Sequence, residues 1–326
     1  MNIKIGSLNC LNFGIASEKK GKGKIIAQVI NNEKFDIIAL QEIKSPGVVK
    51  DILFHLNTGI RKGSGKWQGC ADTDARGSND YAFIWNSDRI TLPVTKAANG
   101  QTRIFQPHIY NQYPRDPELG RISFARPPFY GRFQTRFKGL PNFEVRLINT
   151  HIRYSKGKDG KELTPTTGEI ELRKFEFKAL TRSIYYRISD KIYGKSEGES
   201  VPATAYTILL GDYNLNLKES GAGYPCMNEL EAIEIICNSD DGRTKLIVTK
   251  QAELTTLKKP NENEEEVLFA NNYDHFSYDE NRFSGTRSAI EKIDTVRKYF
   301  NSDPKKHLEN FSDHTPIKMT LSIKKG

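Results

Sequence analysis

Several apolar stretches of strand length end in polar side chains, and this repeated pattern restricts the folds open to the chain. They are IGSLN (5–9), IIALQE (37–42), VRLINTH (145–151) and TILLGDYN (207–214). Apolar runs of about four to eight residues are typical of strands buried on both faces. Because such strands need cover on each face, the pattern favours an α/β protein with helices outside stacked sheets.

Hydrophobic periodicity predicts the elements around these strands. Helices are predicted at 18–33, 46–57, 168–192 and 226–237, and strands at 2–9, 35–42, 81–86, 132–138, 143–152, 204–212, 268–276 and 317–323. A further helix is predicted over 288–300, within an insertion at 277–310 that either binds a partner or caps the sheet, with capping favoured. The chain has no repeat and no break in composition, so one domain is predicted over residues 1–326.

The composition is that of an ordinary soluble protein, with 37% hydrophobic and 27% charged residues. No apolar run approaches the roughly 18 residues that span a bilayer. The start of the chain does not resemble a signal peptide, which predicts a cytoplasmic protein or one whose signal has been removed. The four cysteines match neither a zinc motif nor a disulfide scaffold, and are expected to be small buried hydrophobes.

The formal net charge is +9, from 49 Lys and Arg against 40 Asp and Glu. A basic surface attracts polyphosphates, although many soluble proteins are basic without binding nucleic acid. The charge therefore raises the odds of a polyanionic partner only modestly.

The polar residues at the strand ends form the candidate site. Each alone has an ordinary structural interpretation: a surface acid, a structural histidine, or an Asx-type turn after Gly211. Strand ends on one side of a sheet converge, however, and carboxylates, amides and two histidines gathered there suit metal-assisted phosphoester cleavage. The candidates are Asn9, Glu42, His151, Asp212, Asn214, Asp274, Asp313 and His314.

Phosphodiester hydrolysis explains the acids and histidines in this set. Mg²⁺ prefers carboxylate oxygens and needs only one or two from the protein, a role that fits Glu42 and Asp313. His151 and His314 suit proton transfer or hydrogen bonding on either side of phosphorus, because histidine titrates near neutral pH. Asp274 is expected to hold the tautomer of His314.

Asp212 and Asn214 lie two residues apart on what is expected to be an extended segment. Side chains at this spacing on a strand point the same way. The pair is therefore predicted to orient the attacking water and to hold a phosphate oxygen.

These residues, in this order, resemble the endonuclease/exonuclease/phosphatase superfamily, which includes DNase I, exonuclease III-type repair enzymes, inositol polyphosphate 5-phosphatases and neutral sphingomyelinases. The resemblance runs from SLNCLNFG through FDIIALQE, INTHI, LLGDYNLN and NNYDHF to SDHTPI, nearly the whole chain. It implies a four-layer α/β/β/α sandwich of two stacked mixed sheets, with Mg²⁺ as cofactor and Mn²⁺ as a substitute. It also implies that Asn9 and Glu42 lie near the metal and that His151 and His314 flank the scissile phosphate.

Within the superfamily, the DNase I branch is the most similar. The stretch ARPPFYGRF resembles the segment in which an arginine precedes a proline and a strand, which makes Arg126 a candidate phosphate clamp; the alternative is an ordinary surface arginine. The family's acid that supports the first histidine aligns with Asn79 here. Asp80, one residue along, is therefore expected to be the partner of His151.

The fold does not determine the substrate. Segments typical of phosphoinositide phosphatases, abasic-site repair enzymes and sphingomyelinases are absent from the sequence. Elimination and charge favour a metal-dependent nuclease acting on nucleic acid, DNA over RNA, and most specifically a DNA endonuclease; no membrane or obligate protein partner is expected. The alternatives are a phosphatase or phosphodiesterase on a phosphorylated lipid or inositol, and a non-catalytic nucleic-acid-binding module.

Overall fold

The structure is a computed structural model. It describes residues 2–18, 21–58, 66–72, 80–96, 100–113, 115–116, 120–121, 124–137, 143–153, 169–191, 205–216, 247–248, 253–258, 269–283 and 286–323.

The described strands, in chain order, are β1 (Asn2–Phe13), β2 (Ile37–Ile43), β3 (Trp67–Ala71), β4 (Tyr81–Asn86), β5 (Ile90–Thr91), β6 (Val94–Lys96), β7 (Thr102–Ile104), β8 (His108–Ile109), β9 (Arg115–Asp116), β10 (Gly120–Arg121), β11 (Phe129–Thr135), β12 (Glu144–His151), β13 (Ala205–Asp212), β14 (Ile247–Val248), β15 (Thr256–Leu257), β16 (Phe269–Asn271), β17 (Asp274–Tyr278), β18 (Thr286–Lys292) and β19 (Ile317–Ile323). The α-helices are α1 (Ile15–Glu18), α2 (Lys22–Asn32), α3 (Pro46–Thr58), α4 (Glu169–Lys178), α5 (Tyr185–Ser189), α6 (Thr295–Phe300) and α7 (Pro304–Asn310). A π-helical segment, Ala179–Ile184, joins α4 to α5, and Glu280–Phe283 form a 3₁₀ turn.

Two mixed sheets form the centre of the molecule. The first has the order β18-β19-β1-β2-β4-β3, and only its β1–β2 pair is parallel. The second has the order β14-β17-β13-β12-β11-β5, with β8 beside β11, and its β12–β13 pair is parallel. Each parallel pair brings two carboxyl-terminal strand ends to one edge of its sheet.

The sheets pack face to face around an apolar core, and helices cover their outer faces. Buried residues between the sheets include Ile5, Ile37, Phe83, Phe133, Leu147 and Ile208. Those between the first sheet and helices α2 and α3 include Leu8, Ile38, Ile26, Ile30 and Ile52. Those between the second sheet and the α4–α5 region include Ile148, Leu209, Phe177, Leu180 and Ile184. The predicted four-layer α/β/β/α sandwich is confirmed.

Two element predictions need correction. The stretch predicted as a helix over 288–300 is divided: its first part belongs to β18, and only Thr295–Phe300 is helical. β18 pairs with β19, whose backbone N–H and C=O groups would otherwise form an open sheet edge. This pairing outweighs the helical spacing of the apolar residues in the segment. The helix predicted over 18–33 is interrupted near Gly21, which has a left-handed φ of 76°. The helix predicted over 226–237 lies outside the described residues.

No helix in the described part of the chain combines the length and the apolar character required to cross a bilayer.

Candidate active site

Three neighbouring strands of the second sheet align polar residues in one row. His151 on β12 is opposite Asp212 on β13, and Asp212 is opposite Asp274 on β17. The first sheet contributes Asn9 from β1 and Glu42 from β2 at the same end of the sandwich. The strand ends therefore converge as their sequence pattern predicts.

Asp212 lies at the centre of this cluster. Its Oδ2 accepts a hydrogen bond of 2.9 Å from Nδ2 of Asn9. The same oxygen is 3.7 Å from Nε2 of His151 and 3.7 Å from Nε2 of His314. Asn9 Nδ2 also donates to Oε1 of Glu42 at 3.2 Å, and that oxygen is 3.8 Å from Nε2 of His151. One carboxylate oxygen thus faces both histidines, and one amide links it to the acid of the other sheet.

His314 forms a tight pair with Asp274. Its Nδ1 is 2.7 Å from Oδ2 of Asp274, and both side chains are buried. Burial opposes protonation of His314, but Asp274, Asp212 and Asp313 outweigh it and raise the pKa of His314 well above its usual range. Burial also raises the pKa of Asp212, and Asp274 adds to this, although the two histidines lower it. Nε2 of His314, on the side of the ring away from Asp274, faces Oδ2 of Asp212.

In addition to the two acids near its Nε2, His151 contacts Asp80 and Arg126. Its Nδ1 is 3.4 Å from Oδ2 of Asp80, and Nη1 of Arg126 lies 2.9 and 2.8 Å from its two ring nitrogens. Asp80 also contacts Nε of Arg126 at 3.1 Å and Nζ of Lys44 at 2.8 Å. Burial opposes ionisation of Asp80, but these partners lower its pKa to about 2. The expectation that Asp80 is the partner of His151 agrees with this geometry.

The backbone around Glu42 is strained in a way that directs its side chain. Glu42 has a φ of 58°, and Leu11 and Asn12, in an irregular part of β1, have φ values of 45° and 47°. Leu11 N–H donates to Oδ1 of Asn9 at 2.9 Å, and Asn12 N–H donates to Oε2 of Glu42 at 2.7 Å. Burial opposes ionisation of Glu42, but His151 and the two hydrogen bonds from Asn12 and Asn9 lower its pKa. Strain of this kind is concentrated at functional sites.

The turn after β13 corrects one prediction. Asn214 has a left-handed φ of 49°, so the segment is not extended. The prediction that the side chains of Asp212 and Asn214 point the same way, as on a strand, is therefore wrong. Instead, Oδ1 of Asp212 accepts the Asn214 N–H at 2.9 Å, the Asx-type turn that was the ordinary alternative. The Asn214 side chain donates to the carbonyl of Ile152 at 2.8 Å. It holds the chain that leaves His151.

Asp313 lies at the rim of the site. Its side chain is 39% exposed, and its Oδ1 is 3.9 Å from Nε2 of His314. Ser312 precedes it: its hydroxyl donates to the Asn9 carbonyl at 2.7 Å and accepts the His314 N–H at 3.0 Å. Ser312 therefore attaches the turn at Ser312–His314, called the SDH turn below, to β1.

Beneath the site, polar groups link the two sheets. Nε2 of Gln41 donates to Oδ1 of Asn149 at 2.7 Å, and the Tyr81 hydroxyl accepts the His151 N–H at 3.0 Å. These residues, with Lys44 and Ser312, were not identified from the sequence. The available signal was a buried amide within each of two apolar runs, IIALQE and VRLINTH.

All nine residues predicted for the site are joined by these contacts at one edge of the sandwich. Arg126, with its side chain 32% exposed, faces His151 and Asp80 rather than open solvent. Arg126 thus lies beside His151, and its role as a phosphate clamp stays a prediction.

No protein-family model matches the sequence. No curated protein sequence matches it either. Among solved structures, an endonuclease/exonuclease/phosphatase from Bacteroides vulgatus superposes over 99% of this chain and 100% of its own, with a TM-score of 0.53 and 12% identity. The chain has the fold of the endonuclease/exonuclease/phosphatase proteins.

Two other structures show which kinds of protein share this endonuclease/exonuclease/phosphatase fold. D. rerio TDP2 complexed with a single-strand DNA product superposes over 98% of this chain and 99% of its own, with a TM-score of 0.51 and 13% identity. A mannosyl-6-phosphatase from Bacteroides thetaiotaomicron covers 98% and 100%, with a TM-score of 0.52 and 13% identity. At such identities the similarity shows the fold alone.

Proposed function

We propose that the protein, acting as one domain over residues 1–326, is a divalent-metal-dependent phosphodiesterase that hydrolyses nucleic acid, most specifically a DNA endonuclease. One observation carries this proposal: Nε2 of His151 and Nε2 of His314 each lie 3.7 Å from the same Asp212 oxygen. Each histidine is buried and has its own carboxylate behind it. Two such pairs around one acid suit proton transfer on both sides of phosphorus.

In this proposal the raised pKa of Asp212 makes it a stronger base than an ordinary aspartate, and it accepts the proton of the attacking water. His314, protonated through its pairing with Asp274, donates from Nε2 to an oxygen on phosphorus. His151, oriented by Asp80, transfers a proton or donates a hydrogen bond on the side of phosphorus opposite His314. Asn214 contributes by closing the turn that presents Asp212.

The proposed cofactor is Mg²⁺, with Mn²⁺ as a substitute, held by Glu42 and Asp313. Glu42 has a lowered pKa and Asp313 is 39% exposed, so the donor set contains an ionised acid and an accessible one. Within the described ranges, no three or more His, Cys, Asp or Glu side chains form a ready-made metal cage. A sparse set fits Mg²⁺, which keeps several waters and takes one or two protein carboxylates. When bound, the ion would neutralise charge on the phosphate.

Arg126 is the proposed phosphate-binding group. Its side chain is one-third exposed and its guanidinium contacts both His151 and Asp80, so a phosphate at the histidines would lie within its reach. The net charge of +9 favours a polyanionic substrate. D. rerio TDP2, which has the same fold, is known with a single-strand DNA product, and this supports DNA over RNA as the first substrate to test.

The proposal is tested by nicking of supercoiled plasmid with Mg²⁺ or Mn²⁺, with EDTA and with the variant His151→Ala. His55→Ala on α3 is the matched control, since His55 packs against Asp51 away from the strand ends. We expect nicking that needs both the metal and His151. Hydrolysis of phosphomonoesters without nuclease activity would instead assign a phosphatase. If the protein binds DNA in EDTA but does not cleave it when the metal is added, the result would assign a binding module.

A further inference from the structure

Two buried charged residues of α4 face the loops of the site rather than its centre. Arg173 and Glu176 are three residues apart, on one face of the helix, and are 3% and 2% exposed. Among the contacts described here, their side chains hydrogen-bond to loop backbone. α4 therefore does more than cover the second sheet.

Glu176 connects two of these loops. Its Oε1 accepts the N–H of Ala125 at 2.7 Å, one residue before Arg126. Its carboxylate also accepts the N–H of Arg153, two residues after His151. A single carboxylate thus joins the backbone that carries the arginine to the backbone that carries the histidine.

Arg173 connects a third loop to the same helix. Its Nη1 donates to the carbonyl of Asn214 at 2.7 Å, and the Asn214 side chain donates to the carbonyl of Ile152 at 2.8 Å. The turn after Asp212 is thereby attached both to α4 and to the chain that Glu176 holds.

We infer that Glu176 is a positioning residue that holds Arg126 against His151 and so sets how strongly the site binds a phosphodiester. The contacts it supports are short: Nη1 of Arg126 is within 2.9 Å of both ring nitrogens of His151. A shift of about 1 Å in such a group is enough to impair binding and catalysis. The inference rests on the proposed function, since it assumes that Arg126 contacts phosphate.

Glu176→Gln tests the inference because it keeps the volume of the side chain. The amide keeps one acceptor oxygen and replaces the other with an NH₂ group, which cannot accept a backbone N–H, so at least one of the two loop contacts is expected to weaken. We expect the binding of a fluorescent single-stranded DNA oligonucleotide, measured by anisotropy in EDTA, to weaken about tenfold. Glu309→Gln, on the exposed face of α7, is the matched control and is expected to bind as wild type.

The double variant Glu176→Gln/Arg126→Ala separates positioning from general damage. If Glu176 acts through Arg126, the double variant binds no more weakly than Arg126→Ala alone. The inference would be overturned if the losses of affinity in the two single variants multiplied in the double variant. It would also be overturned if Glu176→Gln bound as tightly as wild type.

Amide hydrogen exchange gives a readout that does not depend on the substrate. In Glu176→Gln, exchange at Ala125 or Arg153 is expected to accelerate, while exchange in the β12–β13 ladder stays as in wild type. Unchanged exchange at both amides would overturn the inference. If exchange accelerates but wild-type protein neither binds the oligonucleotide nor nicks plasmid with Mg²⁺, the positioning contact stands as structure, and both the phosphodiester-binding role and the proposed function fail.

Discussion

Asp212 accepts hydrogen bonds from Asn9 and from the backbone of Asn214, and it also faces Nε2 of both site histidines. This arrangement leads to the first prediction. Asp212→Asn, His151→Ala and His314→Ala are each expected to lower kcat by about 10²- to 10⁴-fold, because each removes a proposed proton donor or acceptor. Initial rates on plasmid measure the effect, and circular dichroism checks the fold. A variant with full activity would remove that residue from the proposed chemistry.

Glu42 is expected to act through the metal rather than through proton transfer. In Glu42→Gln, the Mg²⁺ concentration that gives half-maximal activity should rise at least about tenfold, since the ionised oxygen is lost. A titration of rate against Mg²⁺ measures it, with Glu309→Gln as control. A titration curve that coincides with wild type would contradict the ligand assignment.

At the scale of elements, the strands were more predictable than the turns. β4 and β19 lie at the predicted residues because apolar runs between turns are a strong local signal. The same signal brought the residues of the candidate site together, since strand ends meet at one edge of a sheet. The left-handed backbone of Glu42 and Asn214 has no periodic signature, so the orientation of Asn214 could not be predicted. Glu176 was also missed, because its partners are loop amides far along the chain.

Gly211 shows how tightly the carboxyl-terminal end of β13 packs against β12. Its φ is 138°, and a Cβ there would lie 1.9 Å from the carbonyl oxygen of Thr150. Gly211→Ala should lower the free energy of unfolding by more than about 3 kcal/mol, because the backbone of β12 must move. Urea denaturation measures it. Gly100→Ala is the control: its φ of 79° is also left-handed, but no atom lies within 4 Å of the added Cβ, so a cost of about 1 kcal/mol is expected. Equal losses in both variants would contradict the steric account.

The helix before the SDH turn makes stability depend on pH. His307 on α7 is fully buried beside the Thr295 hydroxyl, and burial lowers its pKa to about 4 from 6.5. The unfolded chain therefore takes up a proton first as the pH falls. Between pH 6.5 and 4 this should remove up to about 3 kcal/mol of stability.

His307→Gln, which does not titrate, is the comparison for this pH effect. Urea unfolding of both proteins across the range measures the difference, which should shrink as the pH falls. A difference independent of pH would contradict the neutral state of His307.

At the scale of the whole molecule, the excess of cations should govern binding to polymers. With a net charge of +9, oligonucleotide affinity is expected to fall at least about tenfold between about 50 mM and about 200 mM NaCl, as bound counterions return to the DNA. Hydrolysis of a small phosphodiester such as bis(p-nitrophenyl) phosphate should change far less. Equal salt dependence for both would argue against an extended polyanionic substrate.

The aligned row of His151, Asp212 and Asp274 has a consequence for how the gene can change. Hydrogen-bonded pairing sets these three residues side by side, and a slip of one residue would turn each side chain to the opposite face. Insertions and deletions inside β12, β13 or β17 would therefore abolish activity and folding together. Changes in length are therefore expected to be tolerated only in the connecting segments, which can alter the surroundings of the site while the register of the three strands is kept.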